Sequence, residues 1–119
     1  MMKKLLFLLL SIVALSADAA FAASDGYEQK TVLENQRIRV VLITVKPGAE
    51  SPSVIRQLDR LVYVLTAGTL QRIYDDGKIE VVKYEVGDLI FSDQPEDKKK
   101  YLVKNIGTTT VVLQITFIK

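Results

Sequence analysis

Short apolar runs separated by turn residues recur along most of the chain, and no long stretch sustains helical spacing. Thr31 to Glu34 predicts a first strand, and Gln36 to Val45 a second that ends at Lys46-Pro47-Gly48. Pro47 fixes its φ and Gly48 accepts a positive one, so the pair makes a turn. Arg60 to Thr66 predicts a third strand, ended by Ala67-Gly68. Thr69 to Tyr74 and Lys78 to Glu85 flank Asp75-Asp76-Gly77, which is hairpin chemistry. Val86-Gly87-Asp88 turns into Leu89 to Phe91, a polar loop from Ser92 to Lys99 carries Pro95, and Lys100 to Asn105 resumes the sheet. Ile106-Gly107 then turns into a last strand, Thr108 to Ile118.

About eight short strands in fewer than ~100 residues imply an antiparallel sandwich or barrel. Alternation is clearest in Lys78 to Glu85, where Ile79, Val81 and Lys83 oppose Glu80, Val82 and Tyr84. Val111 to Phe117 is nearly all apolar and is expected to be central and covered on both faces. Pattern alone does not say which strands pair.

The amino terminus follows a different pattern. Lys3 and Lys4 precede an apolar run from Leu5 to Leu15, and small residues then lead to Ala20-Phe21-Ala22. This is the layout of a cleavable secretory signal, and the run is too short to span a hydrocarbon core of roughly 30 Å. The expected division is a leader over 1–22, an extension over 23–30 and one domain over 31–119. Cleavage after Ala22 leaves 97 residues with 14 basic and 13 acidic side chains, a net charge of +1. So nearly neutral a chain carries no nucleic-acid footprint, and once processed it has no segment for stable membrane insertion. The expected location is the periplasm or outside the cell. With no cysteine there is no disulfide framework and no thiol nucleophile; with no histidine there is no Ser-His or Cys-His dyad.

Pro47-Gly48, then Leu61-Val62-Tyr63-Val64-Leu65, then Gly68 resembles the first motif of the cupin family. Gly87-Asp88, the Pro95 loop and Lys104-Asn105-Ile106-Gly107 resemble the second. The resemblance covers roughly Thr31 to Lys119. It implies an all-β, antiparallel jelly-roll barrel, or double-stranded β-helix, of the RmlC-like superfamily. It also implies homodimers formed through sheet edges, with Thr31 to Glu34 as a short edge candidate.

In that family the first motif supplies two histidines and a glutamate to a metal. Counting from Gly48 puts the histidine slots on Val54 and Arg56, and the glutamate slot on Arg60 or Leu61. The fourth ligand, four residues before the asparagine, falls on Tyr101; counting forward from Gly87 disagrees by three residues. Valine has no donor atom, and a guanidinium repels a cation. No cofactor is therefore expected.

Cupin ligand slots point into the barrel, so the resemblance places Arg56 and Arg60 inward near Tyr101. Val103 and Asn105 share the parity of Tyr101. Guanidinium groups and a phenol at the mouth of an apolar barrel suit a small anionic or polar ligand. The candidate ligand-binding residues are Arg56, Arg60, Tyr101 and Asn105, with Lys98, Lys99 and Lys100 as a positive rim. The same arginines can instead pair with Asp59 and Asp93, and a lysine run can simply be solvated. No catalytic residue is marked. The alternatives are an enzyme without a metal or using carboxylates such as Glu50 and Asp59, and a purely structural assembly domain.

Overall fold

The computed structural model describes residues 24–53, 57–93 and 100–119. Eight strands account for most of them: β1 (Tyr27–Glu34), β2 (Ile38–Val45), β3 (Asp59–Thr66), β4 (Gly68–Tyr74), β5 (Ile79–Tyr84), β6 (Leu89–Ser92), β7 (Tyr101–Asn105) and β8 (Val111–Ile118). They form two antiparallel sheets, one of five strands in the order β1-β2-β8-β3-β6 and one of three in the order β5-β4-β7. The all-β, antiparallel class expected from the turn spacing is what the chain adopts, and no helix occurs among the described residues.

Alternation decides what each sheet turns inward. Along β2 it is Val41 and Val45, along β3 Val62 and Val64, along β8 Val111, Leu113 and Ile115. With Ala49, Leu70 and Tyr84 these make one buried cluster between the sheets. Branched side chains suit such a layer, being stiff and well packed on a pleated surface.

Several expectations shift in detail. β1 begins at Tyr27 rather than Thr31, because Tyr27 and Gln29 pair with Val45 and Ile43 on β2. β2 begins only at Ile38, since the Asn35 Oδ1 accepts the backbone N–H of Arg37 at 2.8 Å and of Ile38 at 3.0 Å, closing the hairpin. β8 is central, between β2 and β3, as its apolar run suggests. It is buried on one face only, however: Val112, Gln114 and Thr116 on the other are half-buried. In β5 the face turned inward is Glu80, Val82 and Tyr84, leaving Ile79 at 56% and Val81 at 57% exposure.

The crossing from β3 to β4 carries the chain from one sheet to the other at Ala67-Gly68. A Cβ at Gly68 would collide with the side chain of Val111, so glycine is required there for close approach rather than for a turn. The β4–β5 hairpin turns through Gly77 at φ 91°, a conformation that side-chain-bearing residues avoid.

Candidate ligand-binding cavity

Between the sheets lies a cavity of about 580 Å³, in the size range of small-molecule sites. Its aliphatic lining includes Ile43, Val45, Val62, Leu70, Leu113 and Ile115. Three arginines, Arg39, Arg60 and Arg72, also line it. Each is the one charged member of an inward face: Arg39 precedes Val41, Ile43 and Val45; Arg60 precedes Val62 and Val64; Arg72 follows Leu70.

Register places two of them together. Arg39 on β2 and Arg60 on β3 both lie opposite Phe117 on β8, so their Cα atoms are two strand spacings, about 10 Å, apart. The Arg39 guanidinium carbon lies 4.9 Å from the Phe117 ring centroid, a cation–π stack, and its Nε is buried without a hydrogen-bond partner. The Arg60 Nη2 donates to the Tyr101 hydroxyl at 3.4 Å, linking the large sheet to the small one.

Tyr101 is buried, and its ring packs at 5.3 Å from that of Tyr74 and 5.7 Å from the Arg72 guanidinium. Arg72 is bound to Glu80, its cross-strand neighbour on β5, at 2.9 Å. Burial opposes the charge on Arg72, but Tyr84, Tyr101, Glu80 and Tyr74 more than offset this and hold its pKa above the ordinary arginine value. Burial pushes the Tyr27 phenol above its usual pKa, against a smaller opposing pull from Arg60.

The sequence-based candidates separate into four groups. Arg60 and Tyr101 come together at the cavity, and Arg60, not Leu61, takes the inward position of the glutamate slot. Arg56 and Val54 lie outside the described residues, as do Pro95, Lys98 and Lys99. Lys100 is exposed. Asn105 has a different role from the one expected. It is 1% exposed, does not line the cavity, and donates from Nδ2 to the Val45 and Thr109 carbonyls, each at 2.8 Å. Its Oδ1 accepts the Gly107 N–H at 2.9 Å. The correct parity thus put Asn105 on the inward face but at its closed end, where backbone groups take up the whole amide.

Arg39 and Arg72 were missed by motif counting. A usable signal was present: an arginine on the apolar parity of a strand, at both positions. The carboxylates considered for catalysis are elsewhere. Glu50 forms an isolated bridge with Lys104, Asp59 has the outward parity of β3, and neither lines the cavity. Ser51 does line it, but its hydroxyl accepts the Val103 N–H at 2.8 Å and donates to the Pro52 carbonyl at 3.1 Å. Among the described residues no three acidic side chains gather, and the described cavity lining holds three guanidinium groups but no histidine, aspartate or glutamate. That donor set does not fit a metal ion.

No family model matches the chain, and no curated protein matches it by sequence. Solved structures do match. A cupin domain from Bordetella pertussis Tohama I is similar over 79% of this chain and 94% of its own length, at 21% identity and a TM-score of 0.70. The fold is that of a cupin. A double-stranded β-helix protein from Klebsiella pneumoniae has a similar cupin-like structure, at 22% identity and a TM-score of 0.60, covering 80% of this chain and 79% of its own. The polyketide cyclase RemF from Streptomyces resistomycificus is similar over 82% of this chain and 67% of its own, at 16% identity and a TM-score of 0.59. The cupin fold is thus established, while function has to be argued from the site.

Proposed function

We propose that this chain is an exported, metal-free binding protein that holds a small ligand with an anionic group in the cavity between its sheets. The observation that carries this is the charge of the wall: three arginines and no carboxylate among the described residues that line it. Charged hydrogen bonds from guanidinium groups in a largely apolar cavity are strong, and they select anions. Arg60 and Tyr101 are the contacts the sequence points to; Arg56 joins them by the motif count alone. Export rests on the amino-terminal sequence. Self-association into a homodimer is supported by β1, an edge strand, and by Leu33, Leu89 and Phe91, all exposed on the large sheet.

Calorimetric titration with small carboxylates and sugar phosphates tests the site. Arg60→Ala is expected to weaken the best anion by about 1.5–3 kcal/mol, the worth of a hydrogen bond to a charged group. Unchanged affinity in that variant would remove Arg60 from the site, and no anion binding at all would defeat the proposal.

A further inference from the structure

The cavity is polarised along its strands. Arg39, Phe117, Arg60, Arg72 and Tyr101 each lie within two residues of one end of β2, β8, β3, β4 and β7. Toward the other ends the same strands present Val45, Leu113, Val62, Leu70 and Val103. Two polar groups toward the apolar end are already engaged, the Tyr27 hydroxyl donating to Gln29 Oε1 at 3.3 Å and the Ser51 hydroxyl holding backbone groups, and the Tyr84 phenol is the other hydroxyl on the lining there. A sugar there would find few free partners for its hydroxyls, whereas a hydrocarbon needs none. At the charged end, Arg72 already has Glu80 as its counter-ion, while Arg39 keeps a buried Nε without a hydrogen-bond partner. Glu34, opposite Arg39 on β1, is bound to Lys119 at 2.9 Å.

We infer that the ligand is an amphipathic organic acid, its carboxylate held by Arg39 and Arg60 across Phe117 and its apolar body filling the Val45–Leu70–Leu113 end. This rests on the anion-binding function proposed above and names the substrate class of the same site. Arg39 is stacked on Phe117, and a planar guanidinium matches a carboxylate in a way a lysine ammonium does not. Phe117 between the two arginines gives the first carbons of the ligand an apolar floor.

The test is calorimetry on the full mature protein with octanoate, butanoate, 1-octanol and inorganic phosphate. Each buried methylene tightens binding by about fourfold at most, so octanoate should bind at least about tenfold tighter than butanoate. It should exceed 1-octanol and phosphate by a similar factor. Arg39→Gln should weaken octanoate by about tenfold or more and leave 1-octanol unchanged. Arg39→Lys, which keeps the charge but not the fork, should fall between and serves if the glutamine variant misfolds. Phosphate or butanoate binding as tightly as octanoate would overturn the amphipathic class and leave the anion site standing. 1-Octanol binding as tightly as octanoate, or no probe binding, would overturn both.

Discussion

At one end of the barrel, β2 buries Val45 under the amide of Asn105; six residues away on the same strand it carries Arg39 toward the cavity. The closed end satisfies its polar groups internally. Asn105 bonds the Val45 and Thr109 carbonyls and the Gly107 N–H, while Gly68 lets two chain segments meet over Val111. The charged end lines the cavity instead: Arg39 and Arg60 both lie opposite Phe117, and the buried Arg39 Nε makes no hydrogen bond. On the proposed function, stability and recognition lie at opposite ends of shared strands within one small barrel. Changes at the closed end should unfold the protein without altering what it selects, and changes at the charged end should do the reverse.

The largest break in that division should come from Asn105→Ala. It strands the buried Val45 carbonyl and frees the β7–β8 turn, at about 1–3 kcal/mol for each buried group left without a partner. Denaturant midpoints measure this, and the remaining folded fraction should bind ligand as the parent does. Gly68→Ala should cost about 1–3 kcal/mol by overpacking against Val111, again as a shift in thermal midpoint with unchanged selectivity. A loss of binding larger than the loss of folded protein in either variant would blur the two ends.

Tyr27 gives a smaller, pH-dependent effect. Its folded pKa lies above the ordinary tyrosine value of 10.0 because it is buried. The unfolded chain therefore releases the phenolic proton first as pH rises. The associated stability is present below about pH 10 and is lost as pH climbs through the folded value. Urea melts from pH 8 to 11 should show a steeper decline for the parent than for Tyr27→Phe, and parallel declines would place the phenol in water.

How much of this the sequence showed differs between the two ends as well. The strands were legible because Pro47-Gly48, Asp75-Asp76-Gly77 and Ile106-Gly107 mark turns by local chemistry, and local chemistry is what a sequence states directly. The approach of Arg60 to Tyr101 was legible only through motif spacing, because the two residues belong to different sheets. Parity puts Asn105 on the inward face but carries no information on depth, so it does not separate a closed-end structural amide from a ligand contact. Arg39 and Arg72 stood on apolar parities in plain view. Their convergence depends on how two sheets pack, which no alternation pattern within one strand contains.

The most direct measurement is on the arginine side chains themselves. In ¹⁵N spectra of the guanidinium Nε–H groups, assigned with single Arg→Lys variants, octanoate should shift the Arg39 and Arg60 signals together along one saturable curve. Signals of Arg37, which is exposed, should stay in place. Unmoved Arg39 and Arg60 resonances at an octanoate concentration that saturates the calorimetric signal would contradict the account.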